Sequence, residues 1–248
     1  MRTALQQLTC VCRIFLAFDA SFTFSLITRA CTSRKQQHIL PDRWDEKLDD
    51  VLDGDFPLML RHRLHCRIER SGEGEEEAGD LRGSPPMEDI IVMNEVVIDR
   101  GMSPFLTNIE CYCDGVFVTA VQGDGIIIST PTGSTAYSVA AGGSMVHPQV
   151  PGMLFTPICP HSLSFRPLIF PDTVTLSVQM QEGSRNANCW CSFDGKERMQ
   201  LSEGDRLVIS LARAPIPIIC NRNATEDWFG GIREGLFWNH RLVQKSFK

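Results

Sequence analysis

The sequence is 248 residues long, 43% hydrophobic and 22% charged, the balance of a globular chain with one large domain or two small ones. Its formal charge of −6 leaves no basic footprint for nucleic acid or an anionic membrane surface, so a small molecule or a protein is the expected partner. Of its ten cysteines, Cys10/Cys12, Cys111/Cys113 and Cys189/Cys191 form C-x-C pairs, without the C-x-x-C spacing of zinc sites. On a strand, residues i and i+2 share a face, so these read as half-buried thiols of a reducing compartment, ahead of metal ligands or disulfides.

Residues 1–40 carry Arg2, Arg13, Arg29, Arg34 and Lys35 against Asp19 alone. Basic, hydroxyl-rich and acid-poor composition fits a mitochondrial transit peptide, and fits an arbitrary spliced exon as well. The apolar run 14–18 is far short of the roughly 20 residues of a membrane span. Segment 1–43 is therefore set apart as atypical, with disorder expected. "WDEKLDDVLDG", 44–54, places Trp44, Leu48, Val51 and Leu52 on one helical stripe that stops at Gly54. "FPLMLRHRLHCRIER" alternates Leu58, Leu60, Leu64, Cys66 and Ile68 with Arg61, Arg63, His65 and Arg67, a strand with a basic face that solvent would cover. Residues 71–87 are acidic and bear Gly and Pro, too polar to offset their ordering entropy, and read as a flexible loop.

From residue 88 strands dominate. "IIVMNEVVID" predicts one strand buried on both faces, interrupted by Asn94 and Glu95. A buried amide and carboxylate need partners: backbone, each other, or a ligand. Asp114-Gly115 and Asp194-Gly195 predict two tight hairpins. With strands at 173–180, 206–211 and 216–221, the body is expected to be a β-sandwich or layered β structure. A helix near the end carries Trp228, Ile232, Leu236 and Leu242, with Gly230, Gly231 and Gly235 as interruptions.

Between strand "GIIIS" and the small residues "SVAAGG" lies a hydroxyl-rich bend, "TPTGSTAY". Thr132 or Ser134 is the expected cap of a following helix. Such a strand-turn-helix is either an ordinary cap or a place where helix-start N–H groups and hydroxyls meet an anionic or hydrogen-bonding ligand. Neither a Walker loop nor a G-x-S-x-G elbow occurs. His147, His161 and Arg166 read as turn, packing or solvated residues.

In order, "MNEVVIDRG", "VQGDGIIISTPTGSTAYSVAAGG", "TPICPHSLSFRPLIFP" and "SFDG" resemble the C-terminal domain of NAD kinases, animal cytosolic type, from roughly residue 51 to 240. The resemblance implies a mainly β layered sandwich with a few short helices. It implies 44–70 as the remnant of an α/β lobe, 71–87 as a loop, 88–240 as the NAD-binding domain and 241–248 as a tail. It implies phosphoryl transfer from ATP, with a divalent metal such as Mg, to the adenosine ribose 2′-hydroxyl of NAD, giving NADP. The NAD-binding residues so implied are Asn94, Glu95, Asp124, Thr132, Thr135, Ala136, Tyr137, Thr156, Ile158 and Asp194, with Asp124 near a subunit boundary. Homo-oligomers, or mixed oligomers with full-length subunits, and a cytoplasmic location are expected, with a mitochondrial one as alternative. The family's G-G-D-G loop, whose aspartate is the expected base, does not occur: the sole G-D-G is Gly123-Asp124-Gly125, inside the downstream motif. No catalytic residue and no protein-held metal are assigned. The chain by itself is expected to be weakly active or inactive; the alternative is a non-catalytic NAD-binding or oligomer-capping isoform.

Overall fold

The computed structural model describes Gly54 and residues 56–71, 89–181, 183–184 and 188–240. The chain divides into two compact units, Met1–Pro57 with Ile219–Arg222, and Leu58–Ile218 with Asn223–Lys248. Nearly all described residues belong to the second unit, whose architecture follows. The expectations for 1–43, for the helix over 44–53, for the loop over 72–87 and for the tail 241–248 lie outside the described residues.

Fourteen strands are described: β1 (Leu58–Arg61), β2 (Leu64–Glu69), β3 (Asp89–Val92), β4 (Glu95–Asp99), β5 (Thr107–Cys113), β6 (Val116–Gly123), β7 (Gly125–Ser129), β8 (Met153–Ile158), β9 (Leu168–Phe170), β10 (Leu176–Met180), β11 (Asn188–Phe193), β12 (Lys196–Ser202), β13 (Arg206–Leu211) and β14 (Ile216–Ile219). Two short helices, α1 (Tyr137–Ala140) and α2 (Ala224–Gly235), and a 3-10 turn at Thr132–Thr135 complete the set. One six-stranded sheet runs β3-β2-β13-β10-β5-β6 and another β12-β11-β4-β7-β8-β9, with β1 and β14 paired apart from both. The expected sandwich forms between the two large sheets. β2, grouped by sequence with segment 44–70, is hydrogen bonded between β3 and β13.

Alternation fills the core. Leu64, Cys66 and Ile68 of β2, Ile109 and Cys111 of β5, and Leu207 and Ile209 of β13 face Val96, Ile98, Ile126, Ile128, Met153 and Phe155 of the second sheet. Two of the three C-x-C pairs lie in or against the core: Cys111, Cys189 and Cys191 are buried and Cys113 is half-buried; Cys10 and Cys12 lie outside the described residues. Burial pushes the Cys111 and Cys189 thiols up to about 12, each further raised by a nearby carboxylate. On the outward face of β2, His65 and Arg67 meet Asp89 at 3.1 and 2.9 Å, so the basic face is solvated there. The single strand expected over 56–70 is instead two, β1 paired with β14 and β2 inside the large sheet, and in β1 the expected alternation is reversed, with Leu58 and Leu60 exposed and Met59 buried.

Both Asp-Gly hairpins form as expected, joining β5 to β6 and β11 to β12. Asp114 and Gly115 have φ of 49° and 78°, Asp194 and Gly195 48° and 70°, the two left-handed residues that such turns require. The single strand expected over 90–99 is instead two strands in different sheets. β3 is the edge of the first and β4 lies inside the second, and the chain crosses between them at Met93 and Asn94. Apolar β-branched content cannot report a crossing, because it is the same on both sides of it. The C-terminal glycines do not interrupt α2. Asn223 caps it, accepting from Thr225 N at 3.1 Å and Glu226 N at 2.9 Å, and Ile232 is its buried residue. Leu242 lies outside the described residues. No helix among the described residues is long and apolar enough to cross a membrane.

The turn between β12 and β13 is fastened by Asp205, 5% exposed. Its carboxylate accepts from Arg70 Nη1 at 2.6 Å, Ser71 N at 3.0 Å and Ser202 N at 3.0 Å. Burial alone would raise this carboxyl, but the two backbone donors and Arg70 outweigh it and hold it below the ordinary value. Asp205→Ala should therefore lower unfolding stability by about 2–3 kcal/mol. With the folded pKa depressed, the contribution is present above the unfolded carboxylate pKa of about 4 and is lost as pH falls through the folded value. Denaturant titrations at neutral and acid pH should show the gap between variant and wild type closing in acid.

Candidate functional site

Residues of β4, β7 and β8 that do not face the sandwich core are buried nonetheless. Val97, Ile127, Leu154 and Thr156 are at most 6% exposed and stand outside the core cluster, because the segment 130–147 packs over them. Of the eight buried polar residues among those described, six belong to this layer: Glu95, Ser129, Thr130, Ser134, Ser138 and Thr156. The hydroxyl-rich bend therefore covers the second sheet through polar contacts.

The layer is built around Asp194. Its carboxylate accepts from three successive main-chain amides, Met93 N at 2.8 Å, Asn94 N at 2.7 Å and Glu95 N at 3.3 Å, at the crossing between the sheets. Asn94 O in turn accepts from Thr130 N at 2.9 Å. The Thr130 hydroxyl donates to Met93 O at 2.7 Å and accepts from Gly133 N at 3.0 Å. The cap expected from Thr132 or Ser134 does not form; the Thr130 hydroxyl instead accepts from an amide within the 3-10 turn. Neither the 3-10 turn nor α1 has a side-chain cap bond of its own, Pro131 and Ala136 occupying those positions. Ser134 Oγ accepts from Val146 N at 2.9 Å and donates to Val146 O at 3.2 Å, while Ser138 Oγ lies 2.9 Å from Thr156 Oγ1. Ser138 thus ties the bend to β8, while Ser134 ties the two ends of the covering segment to each other.

Glu95 is 8% exposed. Burial, and then the nearby Asp194 carboxylate, push the Glu95 carboxyl above its ordinary value, opposed in part by the Tyr137 amide. Glu95 Oε2 and the Oγ of Ser129, its cross-strand partner, have no hydrogen-bond partner among the described residues. Open positions surround them. Asn94 takes part through its main chain and keeps a half-buried side-chain amide; Thr132 and Thr135 are half-buried, and Ala136 and Tyr137 exposed.

The sequence-derived residues therefore fall into three groups. Asn94, Glu95, Thr132, Thr135, Ala136, Tyr137 and Asp194 gather at the corner. Thr156 lies beneath α1, fully buried, with its hydroxyl on Ser138. Asp124 and Ile158 sit at the other end of the same strands, where Asp99, Gly125 and Ile158 are register partners and Asp124 N donates to Ile158 O at 3.0 Å. Burial, then Asp99, Cys159 and Asp124, push the Tyr137 phenol upward. Sequence reading missed Thr130, Asp99, Arg100, Trp190 and Arg198. Strand parity held a signal for Asp99, since Glu95, Val97 and Asp99 share a face of β4.

Gly123-Asp124-Gly125 is accounted for by packing. A Cβ at Gly125 would meet Ile98 O at 2.2 Å, and one at Gly123 would meet Ile158 O at 2.8 Å. Close main-chain approach where β6 passes into β7 requires both glycines. A separate cavity of about 250 Å³ is lined by Thr119, Gln122, His161, Ser162 and Phe165, among others. His147 packs edge-on against Trp228, ring centroids 5.0 Å apart.

The family model of the ATP-NAD kinase C-terminal domain matches residues 93–220. The chain is similar to probable NAD kinase 1 of Oryza sativa subsp. japonica, 56% identical over 203 residues that cover 82% of this chain and 37% of that protein. It is similar to the NAD(+) kinase of Saccharomyces cerevisiae, 41% identical over 209 residues, covering 83% of this chain and 39% of the other. The chain thus spans about two fifths of the length of these relatives. Among solved structures, yeast NADH kinase complexed with NADH aligns with a TM-score of 0.71 at 33% identity, over 83% of this chain and 56% of that one.

Two substitutions probe the corner. A Cβ at Gly133 would lie 2.2 Å from Asn94 O and 2.6 Å from its carbonyl carbon, so Gly133→Ala must push main chain apart and should cost about 1–3 kcal/mol by thermal or denaturant unfolding. Glu95→Gln removes a carboxyl whose folded pKa is raised. The wild type gains stability as pH falls toward the ordinary glutamate value of about 4.3 and loses it as pH rises through the folded value. The Tm of Glu95→Gln relative to wild type should accordingly be highest near neutrality and decline in acid.

Proposed function

This chain belongs to the NAD kinase family, and from that premise we propose that its corner holds the adenosine half of NAD and presents the ribose 2′-hydroxyl for phosphorylation by ATP, giving NADP. The observation that carries this reading is the convergence of the Asn94–Glu95 crossing, the Thr132–Tyr137 bend and the Asp194 hairpin through shared main-chain hydrogen bonds. In this reading the Asn94 amide and the Thr132 and Thr135 hydroxyls bond the adenine edge and ribose, the exposed Tyr137 ring packs against the nucleoside, and Ala136 and Ile158 shape the wall. Asp194 holds the crossing, Thr156 supports α1 from below, and Asp124 offers a carboxylate oxygen to a ligand N–H or O–H.

The ribose 2′-oxygen forms the new bond to the γ-phosphorus as ADP departs, and the hydroxyl proton passes to an acceptor outside this set of residues. Among the described residues no group of three His, Cys, Asp or Glu side chains could hold a metal ion, so we assign the divalent ion to the ATP substrate. Phosphoryl transfer rests on positioning and charge stabilisation, and the single G-D-G of the chain is committed to sheet packing. We therefore infer slow turnover by the chain alone. Buried thiols at Cys66, Cys111, Cys189 and Cys191 support a reducing, cytoplasmic location, and the motif strings alone support the animal cytosolic type.

A second reading is favoured by Met102, 99% exposed, with Phe105 and Leu106 also exposed, on the loop that follows Arg100. Apolar side chains beside Asp124 suit a face that another subunit covers, so the chain would bind NAD and cap full-length subunits without catalysis.

Calorimetric titration with NAD, NADH, NADP and ATP tests the first reading. NAD should bind, and Asn94→Ala should weaken it roughly tenfold. Absence of NAD binding by the folded chain would remove it. With ATP and magnesium, NADP should form far more slowly than the roughly 1–100 per second of ordinary kinases; turnover in that range would overturn the inference of a slow chain. Capture of full-length enzyme, with lowered NADP output, would select the second reading.

A further inference from the structure

Beyond the corner, the far end of the site is organised by ion pairs that the motifs do not mention. Arg100, which follows β4, donates from Nε to Asp124 Oδ1 at 2.8 Å and from its main-chain N to Asp124 O at 3.1 Å. Its Nη1 donates to Ser103 O, and Ser103 N donates to Arg100 O at 3.1 Å. The bend that carries Arg100 is fastened on the opposite side. Asp99 Oδ1 accepts from Gly101 N at 2.7 Å and from Arg198 Nη2 at 2.8 Å. Arg198 lies over the Trp190 ring at 5.1 Å, and Gly101, with φ of 59°, sits so close that a Cβ there would meet Trp190 Cδ1 at 2.5 Å. From β12 through β11 and β4 to β7, a continuous set of contacts ends on one oxygen of Asp124.

The other oxygen, Oδ2, accepts no hydrogen bond from the described residues, and the side chain is 38% exposed. Asp124 therefore has one acceptor in use and one open, and it adjoins Gly125, at the opposite end of the paired strands β4 and β7 from the Glu95–Ser129 corner. A carboxylate on a free rotamer would present either oxygen in several directions. Clamped through Oδ1, it presents one. We propose that Arg100 is the positioning residue of the dinucleotide site: by holding Asp124 Oδ1 while tying its own bend to Ser103, it aims Oδ2 at an N–H or O–H donor of the bound nucleoside. The proposal rests on the reading of the corner as an NAD site. It adds a residue that touches no ligand and names the ligand chemistry, a hydrogen-bond donor such as an exocyclic amine or a ribose hydroxyl.

Lysine cannot replace this arginine. It lacks the fork that reaches Asp124 and Ser103 together, so Arg100→Lys keeps the charge and loses the geometry. Calorimetry with NAD on the full chain provides the test, using wild type, Arg100→Gln, Arg100→Lys, Asp124→Asn and the double variant Arg100→Gln/Asp124→Asn. Arg100→Gln should weaken NAD roughly tenfold, and Arg100→Lys nearly as much. In the Asp124→Asn background Arg100→Gln should add no further loss. A merely structural arginine would weaken binding equally in both backgrounds, and that result would overturn the proposal. So would NAD affinity of Arg100→Gln within about twofold of wild type, where kT-sized changes end. Should Arg100→Gln fail to fold by circular dichroism, Arg100→Lys supports the same comparison alone and with Asp124→Asn. If wild type itself takes up no NAD, the reading of the corner fails and carries this proposal with it. If wild type binds and the arginine variants match it, the positioning role alone is lost.

Discussion

The structure turns on the Asp194 carboxylate and the three successive amides it accepts. Without those bonds, Met93, Asn94 and Glu95 would present three unpaired donors at the point where the chain leaves one sheet for the other. Such donors, half-buried, would each cost on the order of 1–3 kcal/mol. With them, the crossing is a fixed corner, and its geometry passes outward. Asn94 O faces Thr130 N, the Thr130 hydroxyl reaches back to Met93 O, and Gly133 is required because nothing larger fits against Asn94. The left-handed φ of Asp194 is the same fact seen from the hairpin. A turn that needs a positive-φ residue before glycine receives an aspartate, and that aspartate has the carboxylate that stabilises the crossing.

Glu95 and Asp194 are two carboxyls whose surroundings differ. Asp194 accepts from three main-chain amides and serves as the acceptor for the corner. Glu95 is buried and feels Asp194, so its proton is retained to higher pH. The hydroxyls of the bend are numerous for a reason of their own. A polar layer over a sheet face must satisfy itself before it can serve a ligand, and Thr130, Ser134 and Ser138 meet that internal demand, leaving Thr132, Thr135 and the Tyr137 ring for other contacts.

Sequence reading found what local chemistry dictates. Asp-Gly pairs gave both hairpins, period-two alternation gave β5, β10, β13 and the second half of the run over 56–70, and the Cys111/Cys113 and Cys189/Cys191 pairs lie in or against the core, since each rule depends on a residue and its immediate neighbours. It failed where a tertiary partner decides. The apolar run over 90–99 reads as one strand because the crossing is stabilised from residue 194, about a hundred positions away. No side-chain cap forms at Thr132 or Ser134, and the hydroxyl that meets a turn amide is that of Thr130, held in place by its own bond to Met93 O. Gly230 and Gly231 were read as breaks, yet Asn223 and the first-turn acids Glu226 and Asp227 sustain the helix through them. The corner was legible as a motif string. The Arg100 bracket was not, because a run such as Ile-Asp-Arg-Gly does not say that its arginine reaches back to residue 124 and its aspartate forward to residue 198.

The two ends of the layer differ in kind, and the difference bears on how a ligand would enter. At the corner the main chain is held by the Asp194 carboxylate and by the buried hydroxyls of Thr130, Ser134 and Ser138, so this end has little freedom to adjust. At the far end the bonds are between charged side chains that are a third to a half exposed: Arg100 with Asp124 and Arg198 with Asp99. Exposed ion pairs of this sort contribute at most about 1 kcal/mol to stability, so stability alone does not account for placing two of them on one bend. What they do supply is direction. A planar guanidinium restricts the carboxylate it meets, and a glycine wedged against an indole fixes the bend that carries that guanidinium. A ligand that reaches both ends would meet a rigid nucleoside seat at one and a carboxylate oxygen of set direction at the other.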